Sequence, residues 1–395
     1  MNVKNIILTQ DYFPLIGGAH HWLHEVYIRN PLPITVLTQD YSANSQLKMR
    51  QKQFDALDQK LLKIYREDIQ IRNVNLLSPQ CIRRYKKILK CLSEISQGAH
   101  SIIHCIKAFP EGISSIAFKL GHRNNCKVVT YVHGEELLVA RTSRQLSILS
   151  KWVYDNSDLV IANSRFSDNF VRKFSPKCNS IVIHPGVNSK AFSITDEMKN
   201  ACRKAWGWPD DAVILATIAR MEPRKNHAAV IEAIHNLRRR GLNLSYVVVG
   251  EGEEQSSLQR LVQKLGVSEW VRFTGYLSNE ERTLALASSD VYIMPSIHVG
   301  AMVEGFGIAF LEASAAGIPS IAGDVGGQPE AVLHEETGLI VNGSNQSDVE
   351  GAIARLTLDS DLRRRMGAKA RIWAAKNDWD IIAQRTFEAI NDIDS

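Results

Sequence analysis

Short, continuous apolar runs rich in β-branched residues recur through this chain, and amphipathic stretches separate them. In the first half the runs are NIIL (5–8), ITVLT (34–38), SIIHCI (101–106), KVVTYV (127–132), DLVIA (158–162) and SIVI (180–183). In the second half they are AVILATIA (212–219), LSYVVVG (244–250), VRFTG (271–275), DVYIMP (290–295), IPSIAG (318–323) and GLIV (338–341). Apolar runs of this length suit strands covered on both faces. Strand alternating with helix in this way predicts an α/β chain with two doubly wound parallel sheets.

A chain of 395 residues exceeds what one core ordinarily serves, so two domains are expected. The stretch HPGVNSKAFSITDEMKNACRKAWGWPDD (184–211) carries the turn formers and polar residues of a linker. We divide the chain into residues 1–190, 191–370 and a C-terminal helix, 371–395, that packs back on the first domain. One amphipathic helix is expected over 372–390, with Trp373 and Trp379 on its apolar side.

Residues 1–190 carry 26 Lys and Arg against 14 Asp and Glu, a balance of +12; the remainder carries 21 against 28, a balance of −7. A basic half suggests an anionic partner such as a phosphate-bearing substrate or a membrane surface. No apolar run reaches the roughly 18–20 residues that span a bilayer. The N-terminus MNVKNIILTQDYF reads as a first strand, not a signal peptide. Cys81, Cys91, Cys105, Cys126, Cys178 and Cys202 form no CxxC pair, which argues against a zinc site and against a disulfide framework. A reducing cytoplasm is the expected compartment.

Three segments carry candidate chemistry. PLIGGAHHWLHEV (14–26) follows the first strand, and Gly17-Gly18 would let the backbone turn tightly beside a ligand. It is not the GxGxxG dinucleotide fingerprint, so a dehydrogenase is disfavoured. IARMEPRKNH (218–227) puts Arg220 and Lys225 at the carboxyl end of a strand, suited to a diphosphate. A solvated basic loop, with Arg224 and Lys225 opening a helix, reads equally well there. The third segment, VEGFGIAFLEASAAGIPSIAGDVGG, holds Glu304 in a loop and Glu312 inside a helix. Eight helical residues span roughly 12 Å, too far for a glycosidase carboxylate pair. The backbone amides of Phe306, Gly307 and Ile308 would form a helix N-terminus between them, open to an anion. A helix stabilised by its own N-terminal acid, with one further exposed glutamate, is the alternative.

EGFGIAFLE (304–312) resembles the E-x7-E motif of the retaining family 4 glycosyltransferases, which have the GT-B architecture: two Rossmann-like domains facing a deep cleft. The resemblance extends through ASAAGIPSIAGDVGGQPEAVLHEETGLIV (313–341), IARMEPRKN, YVVVGEGEEQSSLQRL (246–261), VRFTGYLS (271–278) and SDVYIMPS (289–296). In the first half PLIGGAH, YVHGEE (131–136), IANSRFS (161–167) and IHPGVN (183–188) are similar to acceptor-domain motifs. The likeness covers essentially the whole chain and is weakest over 40–100.

The resemblance implies a hexosyltransferase that uses a UDP-sugar, UDP-glucose or UDP-N-acetylhexosamine being favoured. The acceptor would be a polysaccharide or a lipid-linked glycan. Glu312 would bind the ribose, Glu304 the donor sugar, and Phe306, Gly307 and Ile308 the phosphates through their amides. Arg220 and Lys225 would hold the diphosphate and stabilise it as the leaving group. Gly250, Tyr276 and Leu277 would hold the base, Gly17 and Gly18 would close over the diphosphate, and His133 would sit beside the reacting carbon. No cofactor and no metal is implied, and no nucleic-acid partner. A UDP-sugar epimerase of the same fold and a catalytically silent sugar-nucleotide-binding subunit are the alternatives. The basic stretch CIRRYKKILKCLSEI (81–95) places Ile82, Tyr85, Ile88, Leu89 and Leu92 on one helical face. It fits either peripheral contact with the inner face of the plasma membrane or an ordinary covering helix with a solvated side.

Overall fold

A computed structural model of the chain describes residues 3–14, 17–30, 32–56, 62–71, 78–122, 125–140 and 142–393. Leu15 and Ile16 of the Gly-Gly loop lie outside the described residues, as do Met1 and Asn2. The chain divides into two units, Met1–His184 with Trp379–Ser395, and Pro185–Asp378. The sequence reading had divided it after residues 190 and 370.

The strands of the first unit are β1 (Lys4–Leu8), β2 (Ile34–Gln39), β3 (Leu62–Glu67), β4 (Ser101–Cys105), β5 (Cys126–Val132), β6 (Leu159–Ala162) and β7 (Ser180–Val182). Those of the second are β8 (Val213–Ile218), β9 (Leu244–Val249), β10 (Val271–Gly275), β11 (Val291–Met294), β12 (Ser320–Gly323) and β13 (Gly338–Val341). Among the described residues they form two parallel sheets, ordered β3-β2-β1-β4-β5-β6-β7 and β10-β9-β8-β11-β12-β13. In each sheet the winding reverses beside the unit's first strand, between β1 and β4 and between β8 and β11. Such reversals leave a crevice at the carboxyl ends of the strands, where ligands of these sheets bind.

Both faces of each sheet are covered, as the apolar runs required. In β1, Ile6 and Leu8 turn to one core and Ile7 to the other. In β8, Ile214, Ala216 and Ile218 face one core while Val213 and Leu215 face its opposite. Burying one such aliphatic side chain contributes about 1.5–3 kcal/mol, so these central strands anchor the loops that leave them.

Two elements differ from the sequence expectation. Strand β3, absent from the predicted runs, is an edge strand whose residues alternate between exposed and partly buried positions. The expected helix over 372–390 is two helices, Ser360–Lys376 and Trp379–Asp392. Asn377 and Asp378 interrupt them by taking other partners. Val187 N–H donates to the Asn377 carbonyl at 3.0 Å, and the Asp378 carboxylate accepts from the Ser189 backbone and hydroxyl at 3.2 and 2.6 Å. Such short polar side chains compete with helical hydrogen bonding. Trp373 therefore packs against the second unit's core, and Trp379 is buried in the first unit's core.

The basic stretch lies on the helix Pro79–Ser96, whose buried residues include Cys81, Ile88, Cys91 and Leu92. Ile82, placed by the sequence reading on the apolar face, is 41% exposed. Arg84, Lys87 and Lys90 pair with Asp68, Glu67 and Glu94 at 3.3, 2.8 and 3.7 Å. All six cysteines are free thiols. Among the described residues no helix is long and apolar enough to cross a membrane.

Candidate active site

In the second unit the loops after β8 and β11 meet at the winding reversal. Residues Pro223–Lys225 form a single 3-10 turn, and the helix beyond starts only at His227. Arg224 and Lys225 thus do not open that helix. The turn carries both side chains inward, leaving Arg224 6% and Lys225 8% exposed. Both reach one carboxylate oxygen, Oε2 of Glu304: Arg224 Nη1 at 2.8 Å, with Lys225 Nζ also in contact. Arg224 also meets Glu222 at 3.0 Å, and Glu222 meets Arg220 at 2.8 Å. Arg220 itself projects outward, its side chain 74% exposed.

Three cations and two carboxylates leave this cluster with a formal charge of +1. Burial pushes the Lys225 ammonium below the usual lysine range, against the pull of Glu304. Burial also pushes the Glu304 carboxyl up, but Lys225 and Arg224 outweigh it and hold it below the usual carboxylate range. The Glu304 carboxyl is therefore ionised near neutral pH. Both contacts from the two cations fall on Oε2 of Glu304.

The helix Ile308–Ala316 begins directly after this carboxylate. Gly307 is its N-cap, with φ +93°, a conformation that favours glycine. A side chain there would also strike the Phe310 ring at 2.7 Å. Phe306 precedes the cap and is 2% exposed. Its amide therefore belongs to the loop, whereas that of Ile308 belongs to the first turn, where N–H groups lack intrahelical partners. Glu312, on the second turn, is 7% exposed and pairs with Arg282 at 2.9 Å. Glu304 and Glu312 thus hold different cations.

The loops after β9 and β10 lie next along the sheet. Gly250, at φ +130°, donates its N–H to the Gly275 carbonyl at 3.0 Å. A Cβ on Gly250 would stand 2.3 Å from the Ala219 carbonyl oxygen, so the loops after β8 and β9 approach closely only because glycine is there. Tyr276 is 69% exposed, while Leu277 packs against the core.

In the first unit Gly17 caps the helix Gly18–Tyr27, and both glycines are exposed. His133 follows β5. Its Nε2 lies 3.0 Å from the Ile106 carbonyl, which only accepts, so Nε2 carries the proton and Nδ1 a lone pair. Burial, aided by Lys107, pushes this imidazole down to about 3, leaving it neutral at physiological pH. The Trp22 ring stands edge-on to it at 5.5 Å, and Glu136 accepts its backbone N–H at 2.5 Å.

Sequence reasoning missed several residues here. Arg224, set aside as a helix start, is as central as Lys225. Glu222 holds the outer cation Arg220, and Arg282 holds Glu312. His20, beside the paired glycines, has both ring nitrogens buried without a partner among the described residues. Buried Glu111 accepts the Gln10 N–H at 2.9 Å, and burial pushes its carboxyl up to about 7. Only the adjacency of His20 to Gly17-Gly18 was visible as a signal.

The family model described as "Glycosyl transferases group 1" matches residues 198–373, and "Glycosyltransferase Family 4" matches residues 34–191. The chain is 34% identical over 274 residues to the GDP-mannose-dependent alpha-(1-6)-phosphatidylinositol monomannoside mannosyltransferase of Mycolicibacterium smegmatis, covering 67% of this chain and 70% of that protein. It is 29% identical to the GDP-mannose-dependent monoacylated alpha-(1-6)-phosphatidylinositol monomannoside mannosyltransferase of Corynebacterium glutamicum, over 97% of this chain and 96% of the other. Among solved structures, Anabaena Alr3699/HepE in complex with UDP-glucose superposes with a TM-score of 0.79 over 98% of this chain and 99% of that one, at 19% identity. The buried cation–carboxylate cluster, the capped helix beside it and these matches agree that the chain belongs to the family 4 glycosyltransferases, with the GT-B fold.

Proposed function

We propose that this chain transfers a mannosyl group from GDP-mannose to a glycolipid acceptor bearing an inositol phosphate headgroup, with retention of anomeric configuration and without a metal. The observation that carries the reading is the buried set Arg224, Lys225 and Glu304 at the start of the helix Ile308–Ala316. A diphosphate leaving group gains negative charge as the glycosidic bond breaks. Fixed cations and free N–H groups in a water-poor site stabilise that charge more than the ground state. Lys225, the Ile308 amide and exposed Arg220 are assigned to the diphosphate, Glu304 Oε1 to a donor-sugar hydroxyl and Glu312 to the ribose. The neutral His133, with its lone pair on Nδ1, suits acceptance of a sugar hydroxyl. Gly17 and Gly18 keep the role toward the diphosphate that the resemblance implies.

The resemblance alone favoured UDP-glucose or UDP-N-acetylhexosamine. Relatives named as GDP-mannose-dependent, at 33–34% identity, support GDP-mannose instead. Their names, together with those of related D-inositol 3-phosphate glycosyltransferases, support an inositol-containing acceptor. They also support transfer over epimerisation and over a silent binding role. A lipid acceptor is met at a membrane surface, and the exposed Arg83 and Lys86 are our candidates for contacting anionic headgroups there.

The test is a panel of GDP- and UDP-sugars offered with phosphatidylinositol and its monomannoside, with and without a chelator. GDP release from GDP-mannose, a mannosylated lipid with retained configuration and indifference to the chelator are expected. Release of UDP alone would overturn the donor, and an inverted linkage would overturn retention. Epimerised nucleotide sugar formed without acceptor would overturn transfer itself.

A further inference from the structure

Glu251 follows β9 in the loop that Gly250 ties to Gly275. It is exposed, and its carboxylate has no hydrogen-bond or ion-pair partner among the described residues. Its Oε1 lies 3.6 Å from the point where a Cβ on Gly275 would stand. That glycine, at φ +69°, therefore leaves the space beside the carboxylate open. The ring of the next residue, Tyr276, is 69% exposed.

The course of an elongated ligand along the sheet follows from the pairings. Glu304 sits at the winding reversal between β8 and β11. Glu312 pairs with Arg282 on the helix Asn279–Ala287, which directly follows β10. A ligand running from Glu304 to Glu312 therefore heads toward β10, the edge strand. Its far end falls on the loops after β9 and β10, where Glu251 and Tyr276 stand.

We infer that Glu251 reads the donor's base and selects guanine over uracil. This deepens the GDP-sugar reading above and rests on it. Guanine presents two adjacent donors, N1–H and the N2 amino group, which match the two oxygens of a carboxylate. Uracil presents a single N3–H flanked by two carbonyl oxygens, so the second carboxylate oxygen would face like charge. The exposed Tyr276 ring offers a stacking surface that accepts either base, leaving discrimination to Glu251. A bidentate pair of this kind gives discrimination of roughly tenfold to a hundredfold.

Calorimetric titration of the full chain with GDP, IDP and UDP tests the assignment. Hypoxanthine lacks the N2 amino group, so IDP should bind the wild type more weakly than GDP, and UDP more weakly still. In Glu251→Gln the preference for GDP over both should shrink at least tenfold, with UDP affinity unchanged or improved. Because Glu251 is exposed, the thermal unfolding of this variant should match that of the wild type. An unchanged GDP/UDP/IDP ranking in Glu251→Gln and Glu251→Ala, or a wild type that prefers UDP, would overturn the inference. A wild type that binds none of the three would overturn the nucleotide-sugar reading itself, and the inference with it.

Discussion

Replacing Lys225 by methionine removes a buried charge while keeping most of the side chain's volume. Two consequences separate cleanly. The first is structural, since Glu304 loses one of its two cations. Leaving a buried charge wholly unpaired costs about 3–5 kcal/mol. Glu304 keeps Arg224 at 2.8 Å, so we place the cost at about half, or ~2 kcal/mol. For a domain of this size that lowers the melting midpoint by about 4–8 °C. The second consequence is chemical. Loss of one preorganised group facing developing negative charge typically reduces kcat by about 10²–10³. Glu304, less neutralised, also repels the diphosphate and raises KM. Steady-state GDP release with saturating acceptor gives both constants, and circular dichroism melting gives the structural term. Lys225→Arg, which keeps the charge, should recover part of kcat. A methionine variant that shows the melting penalty yet turns over within about threefold of wild type would refute the reasoning. Lys225 would then be only a structural partner of Glu304.

Glu312→Ala should weaken GDP binding by more than tenfold, as expected when a charged hydrogen bond is lost. An unchanged dissociation constant would reject the ribose assignment. Arg224→Met should lower kcat by about tenfold or more through displacement of Glu304, whose Oε2 it shares with Lys225. A measured kcat equal to wild type would show that Lys225 alone fixes that carboxylate. Stability should fall in acid. Burial pushes His104 from 6.5 down to about 3 and His227 from 6.5 to about 4. Between those values the unfolded chain binds more protons, so stability is fully present above about pH 6.5 and is lost as pH falls toward 3–4. Each group contributes about 2 kcal/mol of loss between pH 7 and pH 5. Urea unfolding of His104→Asn should show a shallower pH slope in this window, and an unchanged slope would contradict it.

Much of this architecture was legible because each central strand is a continuous apolar run. Strand β3 was not, because an edge strand needs no such run: Lys63, Arg66 and Glu67 sit where water or the neighbouring helix meets them. Asn377 and Asp378 looked like ordinary members of a helical pattern. Their departure from it depends on Val187 and Ser189, nearly 190 positions away, which no local window contains. In the site, Glu304 and Glu312 stood out as acids in an apolar segment, and the helix start expected between them is present at Ile308. Arg224 did not stand out, because a basic residue next to Lys225 is also what a solvated loop shows. Its burial is set by a 3-10 turn and by a carboxylate 80 positions on.

A crystal structure of the chain with GDP-mannose bound tests the central claim most directly. The diphosphate is expected against Lys225 and the amide of Ile308, the mannose hydroxyls on Glu304 and the ribose on Glu312. A nucleotide sugar bound elsewhere, with the Lys225–Glu304 pair undisturbed and no phosphate at Ile308, would contradict it.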